Sequence, residues 1–102
     1  MANYYSSAIK INPKQIDYNY SKGAALVNNG NYSVAMQCFN KIIEIHPDEK
    51  MAWYNMGVAS IALGDILKAI TCFETALKID PEYQNAWAAK VACEKELGLT
   101  NQ

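Results

Sequence analysis

The sequence predicts an all-α fold, a right-handed superhelix (α-solenoid) of antiparallel helix pairs. Three observations predict it. All three prolines close the same apolar–charged–Ile–polar pattern: "IKINP" at 9–13, "IEIHP" at 43–47 and "LKIDP" at 77–81, two intervals of 34 residues. Sliding the chain by that interval also brings Phe39 onto Phe73, Trp53 onto Trp87, Gly23 onto Gly57, Gly30 onto Gly64, Ala35 onto Ala69 and Cys38 onto Cys72. Within each period the apolar residues recur at spacings of three and four, the signature of one helix face. A period of this length marks stacked supersecondary units, each too small to bury its own apolar face.

The elements follow in order. Residues 3–13 form a half-unit: "YYSSAIKINP" (4–13) aligns with "CFETALKIDP" (72–81) and reads as a second helix without its first. Residues 14–47 and 48–81 are two full units. In the second, Trp53, Met56, Gly57, Ser60 and Ile61 share one face; "LGD" at 63–65 breaks the helix, and Asp65 is placed to cap the next. Ile66, Ala69, Ile70, Phe73, Ala76 and Leu77 then form a second stripe. Each proline is expected in the first turn of a following helix, where its missing N–H costs nothing, with the preceding residue biased away from helix. Gly57 and Ala69 sit where two helices approach closely, and Trp53 and Phe73 fill the gaps between helices. Residues 82–98 are a capping helix, a first helix (about 84–97) without a second. Lys90 and Glu94 stand at normally apolar places and are expected to face the absent partner as solvated charges, with Glu44, Glu49 and Glu96 solvated elsewhere.

Composition narrows the function. The chain has 102 residues, enough for one domain, with 51% hydrophobic and 19% charged residues, a globular balance. The net charge is −1 and all nine basic residues are lysines, so neither nucleic acid nor an anionic membrane is an expected partner. No apolar run approaches the roughly 20 residues of a membrane helix. "MANYYSSAIK" lacks the basic and apolar stretches of a secretion signal. Three cysteines without a CxxC suit a reduced, intracellular, cytoplasmic setting. The sequons at Asn19 and Asn31 are read as chance.

Catalytic chemistry finds little to stand on. His46 is the single histidine, and the repeat puts Asn12 and Asp80 in its place. A site filled by His, Asn and Asp in turn is a polar helix terminus rather than a general base. Cys38 and Cys72 share a repeat position and read as small packing residues. There is no Gly-rich phosphate loop. No enzyme activity, cofactor or metal is expected.

The stretch Trp53-x2-Met56-Gly57…Ala69-x3-Phe73…Pro81 resembles the tetratricopeptide repeat, departing mainly at Ser60, where a large apolar residue is usual. The copy at about 16–47 fits at Gly23, Leu26, Ala35, Phe39 and Pro47 and departs at Asn19 and Lys22, where Trp and Leu are usual. The resemblance implies a concave surface lined by the first helices: Asp17, Tyr20, Ser21, Ala24 and Asn28; then Met51, Tyr54, Asn55, Val58 and Ala62; then Asn85, Ala88, Ala89 and Ala92. It implies a non-catalytic scaffold or adaptor that binds a peptide or helix there. Members that hold acidic chaperone tails use a two-carboxylate clamp, whose five positions are Tyr20, Ala24, Asn55, Asn85 and Ala89 in this chain. Only Asn55 retains the clamp residue and the cations are gone, so an acidic chaperone tail is not expected. Two alternatives stay open. The terminal half-repeats could pair head to tail or by domain swapping into a homo-oligomer, or the chain could be an interaction domain of a larger enzyme or signalling protein.

Overall fold

The computed structural model describes residues 13–98; the half-repeat expected at 3–13 lies, apart from Pro13, outside the described residues. The described residues form five helices and no strand: α1 (Pro13–Asn28), α2 (Tyr32–Ile45), α3 (Lys50–Ala62), α4 (Ile66–Ile79) and α5 (Gln84–Glu96). Each packs on the next in sequence, α1 on α2, α2 on α3, α3 on α4 and α4 on α5. The architecture is thus an all-α, solenoid-like array of helix hairpins. Among the described residues no helix is long and apolar enough to cross a membrane.

Both hairpin turns close in the same way. Gly30 and Gly64 adopt φ of 83° and 86°, a left-handed conformation open to glycine at no steric cost. Beyond Gly30, the Asn31 N–H donates back to the Leu26 carbonyl at 2.8 Å and the Gly30 N–H to that of Val27 at 3.0 Å. Asp65 repeats the first bond to Ser60 at 2.8 Å, and Gly64 the second to Ile61 at 2.9 Å. These bonds satisfy carbonyls that the helix end would otherwise leave unpaired. Asp65 caps α4, accepting the Lys68 N–H at 3.2 Å, whereas Asn31 makes no side-chain cap on α2.

The junctions between hairpins correct one expectation. Pro13 opens α1, but Pro47 and Pro81 lie in turns ahead of the next helix, not in its first turn. There each proline carbonyl accepts an indole N–H, Trp53 Nε1 to Pro47 and Trp87 Nε1 to Pro81, both at 2.8 Å. The tryptophans thus tie α3 and α5 to the turns that precede them, whereas α1 has Asn19 at that place. His46 and Asp80 terminate α2 and α4, their backbone N–H groups donating to Ile42 and Ala76.

The core is two equivalent seams. Phe39 and Phe73 are each fully buried, and burial of a ring this size stabilises by about 1.5–3 kcal/mol. Phe39 lies over Gly23 and Phe73 over Gly57: a Cβ at those glycines would stand 2.7 Å and 2.5 Å from the nearest ring carbon. Around Phe39 gather Ala35, Ile42, Ile43, Ala52, Met56 and Cys72; around Phe73 gather Ala69, Ile70, Ala76, Ala86 and Cys93. Trp53 packs against both seams and joins them. Ser60, buried at an apolar place, donates its hydroxyl to the Met56 carbonyl at 2.8 Å and so leaves no polar group unpaired.

The charges on α5 are a second correction. Lys90 is not a solvated group facing an absent helix; its side chain is only 17% exposed. Its Nζ lies 2.8 Å from Glu94 Oε2, also largely covered, and 3.9 Å from Glu74 Oε2 on α4. Ala86 and Cys93 bury this side of α5 in the second seam, and Lys90 on the same helix is covered along its stem and carries its charge to Glu94.

Candidate functional site

Helices α1, α3 and α5 each carry a stripe at spacings of three, one and three: Asp17, Tyr20, Ser21, Ala24; Met51, Tyr54, Asn55, Val58; and Asn85, Ala88, Ala89, Ala92. Such spacing keeps each set on one helix face. Asp17, Ser21, Ala24, Asn85 and Ala88 are exposed, as are Asn28, Ala62 and Ala92, and Met51 presents 48% of its surface. Tyr20, Tyr54, Asn55, Val58 and Ala89 are half-buried. Asp17 is the one charged side chain of the expected set.

The half-buried residues serve the core as well as the face. Tyr20 meets Phe39 edge-on, ring centroids 5.7 Å apart and planes at 76°. Tyr54 leans on Phe73 at 5.6 Å and 45°. Val58 and Ala89 pack on the second seam. Across the gap between α1 and α3, Asn55 Nδ2 donates to the Tyr20 hydroxyl at 2.8 Å and to the carbonyl of Met51 at 2.7 Å. Burial foremost, with Tyr83 next, pushes the Tyr20 phenol up to about 12; the Asn55 bond pulls the other way. Tyr20 is therefore a neutral hydroxyl at ordinary pH.

Residues missed from sequence adjoin this face. Tyr83, at the start of α5, packs its ring 5.6 Å from Tyr54, and burial pushes its phenol up. Lys50 Nζ stands 5.1 Å over the Tyr83 ring and 2.5 Å from Asp80 Oδ2. The hydrogen bond from Lys50 is the main reason the Asp80 carboxyl lies below its ordinary value, and the same bond raises Lys50. The charge of Lys50 is thus already engaged. The repeat could not reveal this pair, because one period earlier the places hold Ile16 and His46.

Beside this face α5 and its C-cap leave an apolar strip: Trp87, Val91 and Leu97 are 47%, 39% and 40% exposed, and a shallow depression lined by Gln84, Trp87, Val91 and Lys95 reaches Ala88 and Ala92 of the face itself. Cys38, Cys72 and Cys93 are free thiols, all buried. Among the described residues no three His, Cys, Asp or Glu side chains gather as a metal site would need.

Comparison with known proteins agrees with this geometry. The tetratricopeptide repeat pattern matches residues 16–49 and again 51–83, together well over half of the chain. No curated protein matches the chain by sequence. The TPR2AB domain of yeast Sti1, solved as a complex with a pHSP90 peptide, superimposes with a TM-score of 0.84 at 17% identity, over 94% of this chain and 37% of that one. The Sgt2 TPR domain from Aspergillus fumigatus gives 0.79 at 26% identity, over 85% and 57%. The second TPR domain of human RPAP3, in complex with the HSP70 peptide SGPTIEEVD, gives 0.78 at 20%, over 83% and 71%. The chain thus spans little more than a third of the yeast structure. With two consecutive matches to its pattern, and with aromatic rings seated on glycines one period apart, the chain belongs to the tetratricopeptide repeat family.

Proposed function

We propose that the chain is a non-catalytic protein-interaction module that binds a peptide or helix along the face lined by α1, α3 and α5. The observation that carries this reading is the middle of that face. Met51 is half exposed beside Tyr54 and Val58, with the small exposed residues Ala24 and Ala88 on the flanking helices. A shallow surface with an aromatic and aliphatic centre and little charge suits an apolar segment. Family membership and the peptide-bound yeast and human neighbours support the same kind of role.

The ligand in this reading is not an acidic chaperone tail. Tyr20, Ala24, Asn85 and Ala89 supply no cation at the clamp positions, and Lys50 is engaged by Asp80. The test is twofold. Met51→Glu with Ala88→Glu, both at exposed positions, should abolish partner capture in affinity purification with mass spectrometry; undiminished capture moves the site elsewhere. The peptide SRMEEVD should show no micromolar affinity, and finding it overturns the exclusion.

A second reading, self-association, is favoured by the exposed strip on α5. It carries a steric condition. Tyr5 holds the repeat position of Phe73, but α5 has Val91 where Gly57 admits that ring. A neighbouring half-repeat therefore cannot seat on α5 in the register of α4 on α3. Light scattering that gives a strict monomer at high concentration ends this reading.

A further inference from the structure

One hydrogen-bonded pair on this face has a polarity that can be fixed by chemistry. A backbone carbonyl only accepts, so the Asn55 side-chain atom 2.7 Å from the Met51 carbonyl must be its nitrogen. That same nitrogen lies 2.8 Å from the Tyr20 hydroxyl. A primary amide has two hydrogens, and both are committed, one along α3 and one across to α1. The Tyr20 oxygen accepts the second, so its own proton is left for another group. A tyrosine keeps that proton at ordinary pH, and burial pushes this phenol further up, to about 12. The ring holds the hydroxyl in position by packing on Phe39. What remains for a ligand at this point is an acceptor, Asn55 Oδ1, beside a donor, the Tyr20 O–H.

Among the described residues the arrangement occurs at one place. One period away Ser21 and Ala89 stand where Asn55 does, so Tyr54 has no amide to pair with across to α5. A carboxylate only accepts: it can take the Tyr20 O–H, but it meets repulsion from Oδ1 and satisfies one group of the two. In an extended strand the N–H and C=O of one residue point to the same side, a donor beside an acceptor, and match both groups. In an extended segment those groups are free, whereas a helix spends them internally.

We infer that Tyr20 turns Asn55 into a hydrogen-bond acceptor, so that this face selects the neutral main-chain N–H and C=O of a residue in an extended peptide over a terminal carboxylate. The inference rests on the groove reading above and makes Tyr20 a specificity-determining residue.

The test is nitrogen-15 NMR on the whole chain, with Tyr20→Phe as the variant, because it removes the hydroxyl and keeps the ring. In the free protein both Asn55 side-chain protons should exchange slowly with water, and in Tyr20→Phe one should become fast. Rapid exchange of both in the wild type overturns the arrangement. N-acetyl-leucyl-alanyl-leucine is then titrated as the free acid and as the carboxamide. The carboxamide should bind the wild type about fivefold more tightly, the worth of one hydrogen bond, and Tyr20→Phe should narrow or reverse that preference. Equal binding of the two probes to the wild type, or an unchanged preference in Tyr20→Phe, overturns the inference and leaves the groove reading standing. If neither probe shifts a resonance of α1, α3 or α5 while the Asn55 protons stay protected, the groove reading is what has failed.

Discussion

Gly57→Ala is the most direct probe of the seam on which the array depends. A Cβ at position 57 would lie 2.5, 2.7 and 2.9 Å from three carbons of the Phe73 ring. Ordinary carbon–carbon contact is about 3.5–4.0 Å, so the ring must retreat by about 1 Å. Phe73 has nowhere to go, being fully buried among Ala69, Ile70 and Ala76. Overpacking of this kind costs about 1–3 kcal/mol, and three simultaneous overlaps place it toward the upper end. Against this, replacing glycine inside a helix gains about 1 kcal/mol. The net loss is about 1–2 kcal/mol, which for a domain of this size lowers Tm by roughly 5–15 °C. The assay is thermal unfolding by circular dichroism of the wild type, Gly57→Ala, Phe73→Leu and the double variant. Leucine removes the two nearest ring carbons, so in that background Gly57→Ala should become neutral or stabilising, a reversal of sign that a double-mutant cycle isolates. Gly23→Ala should cost less, since its overlaps with Phe39 are milder at 2.7, 2.8 and 3.1 Å. A Gly57→Ala protein at least as stable as the wild type would refute the close-approach argument for both seams.

Other consequences can be measured in the same way. Asp80→Asn removes the carboxylate paired with Lys50. Because that carboxyl lies below its ordinary 3.8 in the folded chain, its contribution is present above that value and lost as pH falls through the lower folded value. The stability difference between wild type and Asp80→Asn should therefore be constant near neutrality and shrink below about pH 4; a gap that persists into strong acid would rule the pair out as its source. Trp53→Phe keeps an aromatic ring at the joint between the two seams but deletes the indole bond to the Pro47 carbonyl. It should lower stability by about 1 kcal/mol in urea titration, and an unchanged midpoint would mean that the bond contributes nothing. Burial raises the Cys72 and Cys93 thiols and leaves them 3% and 4% exposed. A thiol reagent at neutral pH should therefore label them only as fast as the chain unfolds; prompt labelling of either in native buffer contradicts the packing.

Much of the fold was legible because its cause is periodic. Phe39 and Phe73, Gly23 and Gly57, Gly30 and Gly64 recur at one spacing and meet the same surroundings at each recurrence. The alignment pointed to both turn glycines and to the Asp65 cap. It did not separate Asp65 from Asn31, its counterpart, which caps nothing. The prolines were placed in the right junctions for a partly wrong reason: what the turns at Pro47 and Pro81 supply is a carbonyl for an indole. Lys90 was misread because the pattern marks where an apolar residue is usual, and says nothing of a carboxylate waiting on the neighbouring helix.

The candidate face divides along the same line. Its members could be named from spacing and resemblance; the structure leaves Met51 and Ala88 open and Ala89 half-buried. Their chemistry could not be named. Asn55 and Tyr20 are 35 residues apart and Lys50 and Asp80 are 30 apart, and neither pair recurs one period away. By itself the sequence determined the repeating helix pairs and the close approach of helices at Gly57; that the Phe73 ring lies on that glycine came from the structure. Apolar burial is non-directional, so a periodic pattern of side chains is enough to specify it. Only the tertiary structure decided which polar atoms meet, because a hydrogen bond demands a donor and an acceptor within a few tenths of an ångström of one separation, and that alignment is set by how one helix pair rides on the next.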